Sequence, residues 1–199
     1  MFDLIVRFIA DYGYIAVFAL MAVENIFPPI PSELIMPLAG FTAASGELNL
    51  LAVLLAGTAG SVAGTGPWYY AGRLYGKERL RQLAERHGRW LTLKAEDIDR
   101  ALNAFRKHGR KAVLFGRLVP AVRTLISVPA GIAEMTLARY LIYSAIGSLL
   151  WAGLLTGAGF ALEAQYDTVA RYLDPVSKGI VGLLAATYLY RLVTYRKEA

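Results

Sequence analysis

The chain has no cysteine and only two histidines, His87 and His108, and charged residues make up just 18% of its 199 positions. The missing cysteines exclude disulfides and thiolate metal sites. Neither histidine lies in an apolar stretch, so a phosphohistidine mechanism or a histidine-ligated metal has no local support. Both read as solvated loop residues, and no metal and no cofactor is expected. The shortage of charge is the most informative absence. With 56% hydrophobic and 12% aromatic residues, the composition is that of an integral membrane protein and not of an ordinary soluble domain.

The charge that is present is concentrated. The formal net charge is +6, and between Lys77 and Lys111 eleven Lys/Arg face five acids, an excess equal to the whole net charge. A basic loop between apolar spans belongs on the cytoplasmic face. Its residues read as topology determinants and anionic-lipid contacts, and nucleic acid is not an expected partner. Asp3, Arg7 and Asp11 interrupt the first apolar run and no small-residue cleavage site follows a basic leader, so the first helix is expected to stay in the mature protein.

Charge-free runs set the spans. Residues 12–23, with the amphipathic 1–10 before them, make either one crossing or an interfacial helix, because the uncharged part falls short of the roughly 20 residues a crossing needs. Residues 48–72 and 140–162 are long enough to cross. A last span falls at about 175–195, where Lys178 alone interrupts the run up to Tyr190, and Arg191, Arg196 and Lys197 put the tail back in the cytoplasm. Gly60 and Gly64 form a small-xxx-small contact motif, and Pro67 before Trp68, Tyr69 and Tyr70 predicts a kink. Residues 76–111 read as a cytosolic helical hairpin that turns near 88–92, with Ile98, Ala101, Leu102 and Phe105 at helical spacing.

Two proline-broken stretches answer each other. With a shift of 91, residues 24–41 (ENIFPPIPSELIMPLAGF) overlay 115–132 (FGRLVPAVRTLISVPAGI): Pro29 meets Pro120, Leu34-Ile35 meets Leu125-Ile126, and Ala39-Gly40 meets Ala130-Gly131. With a shift of 87, Gly60-Ser61 meets Gly147-Ser148, Gly66 meets Gly153, and Ala71-Gly72 meets Ala158-Gly159. Pro28, Pro29, Pro31, Pro120 and Pro129 are the breakers, and broken backbone at membrane depth is tolerated only where protein buries it or water lines it. The predicted fold is therefore an all-α membrane protein: an inverted repeat of two re-entrant broken-helix hairpins plus transmembrane helices, with a cytosolic basic helical hairpin. One polytopic domain covers 1–199, with repeat one at about 13–75, the cytosolic hairpin at about 76–111, and repeat two at about 112–162.

The copies differ in charge: the first carries Glu24 and Glu33, the second Arg117 and Arg123. Inverted repeats with discontinuous helices are transporter architecture. In the second segment a helix is expected to restart at 122–124, where free amides, the helix dipole and the Arg123 fork suit an anion such as phosphate, with Arg117 clamping from across the break. Thr124 and Ser127, like Ser32, are weaker candidates, since hydroxyls in membrane helices most often satisfy backbone carbonyls. Glu24 and Glu33 are carboxylates in an apolar setting, able either to carry a coupling proton or to neutralise an arginine.

The motifs in Glu24 to Glu33 (EN-x-x-PP-x-P-SE) and Phe115 to Gly131 (FGR-x-x-P-x-x-RT-x-x-S-x-x-AG) resemble the paired signatures of the bacterial DedA family, within the SNARE-associated Golgi or VTT-domain group. The resemblance covers nearly the whole chain. It implies a multi-pass protein of the bacterial cytoplasmic membrane, both termini in the cytoplasm, that returns undecaprenyl phosphate across that membrane. It carries the acidic pair over to Glu24 and Glu33 and the arginine pair to Arg117 and Arg123. The family often has an acidic residue in the glycine-rich span, where this chain has Gly64-Thr65-Gly66-Pro67; a coupling scheme that needs a third carboxylate is weakened by that departure.

The reading that follows is a non-enzymatic lipid transporter for undecaprenyl phosphate, with protons or cations as candidate coupling ions and a second copy as a candidate partner. A phosphatidylethanolamine flippase or scramblase is the alternative within transport. A membrane scaffold or an intramembrane lipid phosphatase is the alternative of another class.

Overall fold

Long uncharged runs leave the backbone only one way to satisfy its polar groups in lipid, which is to bond to itself along a helix. The computed structural model describes residues 2–26, 32–91, 95–120 and 122–161, and among these the regular structure is entirely helical. The expected last span at about 175–195, and Pro28, Pro29 and Pro31, lie outside the described residues. Among the described residues, three helices are long and apolar enough to cross a membrane, at Ile5–Ile26, Leu50–Arg79 and Leu137–Ala161.

The first, α1 (Phe2–Ile26), joins the amphipathic start to the uncharged run in one element. Its bend is at Gly13, with φ +55°, a conformation that only glycine adopts cheaply. α2 (Ser32–Ala44) has 13 residues, about 20 Å of helix, too short for a hydrocarbon core of about 30 Å. Leu34, Ile35, Met36, Leu38, Ala39 and Ala43 are buried, while Glu33, Pro37, Phe41 and Ala44 along one face are half-buried, so neighbours enclose most of α2. α3 (Leu50–Leu91) starts on Asn49, whose Oδ1 accepts the Ala52 N–H at 3.1 Å and caps the helix.

One expectation is corrected in α3. Pro67, where a kink is predicted, lies inside the helix, and the non-helical backbone is at Gly76, with φ +64°. The turn expected at 88–92 is instead helix up to Leu91, since one interior glycine costs only about 1 kcal/mol. α4 (Ala95–His108) packs back, with Leu102 and Phe105 buried and Lys77 Nζ 2.8 Å from Asp99 Oδ1. Its last turn carries Arg106, Lys107 and His108, the charge sign that a helix C-terminus favours. Short helices α5 (Arg110–Gly116) and α6 (Ser127–Ile132) flank the second break, and α7 (Leu137–Ala161) follows.

Glycines set how closely these helices approach. A Cβ on Gly60 or Gly64 would overlap the carbonyl oxygens of Phe18 and Ala22, so the small-xxx-small motif of α3 seats α1. The same logic joins α6 to α3 and α2 to α7. Gly72 meets the Val128 backbone and Gly159 meets that of Pro37; Gly131 meets Tyr69 and Gly40 meets Thr156. Val128 and Pro37 are 91 positions apart, and Tyr69 and Thr156 are 87 apart, so the partners obey the two repeat shifts. Each short broken helix thus sits on the long helix of the other half.

Candidate functional site

The site lies where α1, α2, α3, α7 and the break between α5 and α6 converge, with Arg117 and Arg123 carried by the break and the other polar groups by the helices. Glu24 and Asn25 end α1, and both are buried. Arg123 is buried as well, ion-paired to Glu24 Oε1 and donating from Nη1 to Ser32 Oγ at 2.7 Å. Asn25 Nδ2 donates to the other Glu24 oxygen, Oε2, at 2.9 Å, so the carboxylate is bound at both ends. Trp151 Nε1 donates to Ser32 at 3.2 Å, and Trp68 Nε1 donates to the Asn25 carbonyl at 3.0 Å, which anchors the end of α1.

Arg117 is buried differently. It is 1% exposed. Its Nη2 donates to Thr65 Oγ1 at 2.7 Å, Tyr140 Oη at 3.0 Å and Ser144 Oγ at 3.2 Å, and its guanidinium carbon lies 5.9 Å from the Tyr140 ring centre. Tyr140 in turn donates to Ser127 Oγ at 2.8 Å and stacks on Tyr69 at 4.5 Å between ring centres. Among the described residues, Nε and Nη1 of Arg117 have no partner, and no carboxylate hydrogen-bonds to it. The arginine that meets Glu24 is therefore Arg123 and not Arg117.

A hydroxyl bridge ties the helices together beside this centre. Asn25 Nδ2 reaches Ser61 Oγ at 3.3 Å, and Ser61 Oγ lies 3.2 Å from Ser148 Oγ. Ser61 and Ser148 are 87 apart, and Ser32 and Arg123 are 91 apart. Both contacts join residues that the two shifts of the sequence repeat pair with each other.

Arg117, Arg123, Glu24 and Ser127 come together as one cluster, with Ser127 reaching Arg117 through Tyr140. Glu33, in the first turn of α2, is half-buried and hydrogen-bonds neither arginine. Thr124 is half-buried and hydrogen-bonds neither arginine. The helix restart expected at 122–124 occurs at Ser127. The N–H groups of Val122 and Arg123 are already taken by the Val119 carbonyl, and that of Ile126 by the Val122 carbonyl, so two of the amides predicted free at 122–124 are consumed within the break. Pro120 lies inside the break, whereas Pro129 is the third residue of α6, where a missing N–H costs no helical bond; Pro129 therefore begins a helix and breaks none.

Thr65, Tyr140 and Ser144 were not singled out from the sequence. Their signal is a hydroxyl stripe at helical spacing: Thr58, Ser61 and Thr65 on α3, and Tyr140, Ser144 and Ser148 on α7.

Long apolar helices enclosing two buried arginines, a paired glutamate and a line of hydroxyls define a membrane protein with an anion-compatible interior. The chain belongs to the DedA family: the VTT domain matches residues 30–161. It is 39% identical over 197 residues to an alkaline phosphatase-like protein of Lactococcus lactis subsp. cremoris, covering 98% of this chain and 92% of that one. It is 33% identical over 193 residues to undecaprenyl phosphate transporter A of Staphylococcus aureus, covering 97% and 95%. To protein DedA of Escherichia coli it is 26% identical over 189 residues, covering 91% and 82%. No solved structure matches the chain with significance.

Proposed function

We propose that the protein moves undecaprenyl phosphate across the bacterial cytoplasmic membrane, with Arg117 and Arg123 holding the phosphate and Glu24 and Glu33 supplying the charge that couples transport to a proton or cation. The observation that carries this reading is the buried charge balance: two guanidiniums lie in the apolar interior, and the only carboxylate hydrogen-bonded to either of them among the described residues is Glu24. A buried cation of that kind favours an anionic ligand over a zwitterion. The pairing of each broken helix with the opposite long helix supports two halves inserted in opposite orientations, with both termini in the cytoplasm and the site alternately open to either side. The polyprenyl tail stays in the bilayer, so the opening is lateral.

The test is transbilayer movement in proteoliposomes, with undecaprenyl phosphate and phosphatidylethanolamine followed in parallel and released inorganic phosphate assayed in the same samples. Movement of the polyprenyl lipid that Arg123→Ala abolishes is the expected result. Movement of phosphatidylethanolamine alone changes the substrate, and phosphate release replaces transport with hydrolysis. No movement under any imposed proton or potential gradient leaves a scaffold.

A further inference from the structure

The two arginines are unequally available. Arg123 is already engaged by Glu24 and Ser32, so an anion reaching it must first displace a carboxylate. Arg117 carries five N–H groups. The two on Nη2 are shared among Thr65, Tyr140 and Ser144, and the three on Nε and Nη1 have no partner among the described residues. All three hydroxyls come from long helices, α3 and α7, so the cradle is built on the rigid part of the fold. The Tyr140 ring beneath the guanidinium, itself stacked on Tyr69, holds the plane. Neutral hydroxyls orient the cation without cancelling its charge.

We propose that the phosphate seats first on the unpartnered Nε and Nη1 side of Arg117, with Thr65, Tyr140 and Ser144 as the positioning residues that present it, and that Arg123 joins the phosphate only once Glu24 releases it. The identity of the anion as a lipid headgroup rests on the function proposed above; the seat itself would take any monoester phosphate that reaches it. It holds one anion per chain.

Farnesyl phosphate, farnesol and inorganic phosphate are titrated into the purified full-length protein in detergent, with heat of binding as readout. Wild type is expected to bind farnesyl phosphate with a stoichiometry of one, to bind inorganic phosphate about tenfold more weakly, and not to bind farnesol. Thr65→Asp places a fixed carboxylate against Nη2 and is expected to weaken farnesyl phosphate binding about tenfold or more, with elution volume and helical content unchanged. Thr65→Asn perturbs the same contact without charge and is expected to lose only about threefold.

Equal losses in the two variants would reduce Thr65 to a packing residue and overturn the seat, as would wild-type affinity in Thr65→Asp. Inorganic phosphate binding as tightly as farnesyl phosphate would overturn the lipid headgroup as its source. Binding with the expected Thr65 dependence but no transbilayer movement keeps the seat and removes the transport function. Movement that is indifferent to Thr65→Asp does the reverse.

Discussion

Arg117 and Arg123 stand six residues apart on one broken segment, are both buried, and are held in opposite ways. Arg123 belongs to a closed network in which every participant supports another: Glu24 is bound by Arg123 and Asn25, and Ser32 by Arg123 and Trp151. Arg117 is fixed in place by hydroxyls yet remains electrically open. The first arrangement stabilises the fold, because breaking a buried pair strands a charge. The second leaves a buried cation without a carboxylate partner among the described residues. The comparison shows that equal burial and equal residue type do not imply equal roles.

Removing each arginine should separate them most widely. Arg123→Met leaves Glu24 buried without its ion partner and is expected to cost about 3–5 kcal/mol of stability, whereas Arg117→Met is expected to be neutral or mildly stabilising, within about 1 kcal/mol. Thermal unfolding in detergent measures both, and equal destabilisation breaks the comparison. Relieving Arg123 from the other side comes next. Glu24→Gln gives the site a second open cation and should tighten farnesyl phosphate binding about tenfold while slowing transport; unchanged affinity would mean that Arg123 never reaches the ligand. Tyr140→Phe removes the hydroxyl between Arg117 and Ser127 and is expected to weaken phosphate binding by about 1 kcal/mol, roughly fivefold, with no effect on the Glu24–Arg123 pair. Ser148→Ala, which opens the Ser61 bridge, should cost least, about 0.6 kcal/mol of stability, the average for hydrogen bonds between membrane helices.

Much of the fold was legible because hydropathy speaks directly to it. Uncharged runs located the α3 and α7 crossings, and glycine spacing marked Gly60 and Gly64 as a helix contact, whose partner the structure shows to be α1. What misled was punctuation. Gly88 is a helix-breaker by intrinsic preference, yet it lies inside α3, because one glycine costs a long helix only about 1 kcal/mol. The site was half legible. Glu24, Arg117 and Arg123 stand out because charge in an apolar setting is expensive. Their pairing did not, since which guanidinium meets the carboxylate depends on how α1 and the break face one another. Thr65, Tyr140 and Ser144 stayed hidden because hydroxyls in membrane helices are common and satisfy their own backbone, as Thr65 does with the Val62 carbonyl at 2.8 Å.

The seating of α2 on α7 has a consequence for biosynthesis. α2 ends at Ala44 and its partner helix ends at Ala161, so roughly 117 residues are translated after α2 before its partner is complete. At about 5–20 residues per second, a helix too short to cross the bilayer waits about ten seconds for its partner. During that interval the insertion machinery, or lipid at the headgroup boundary, has to shelter it. A chain stopped after α4 would leave the α7-facing side of α2 uncovered, with α1 and α3 as its remaining neighbours.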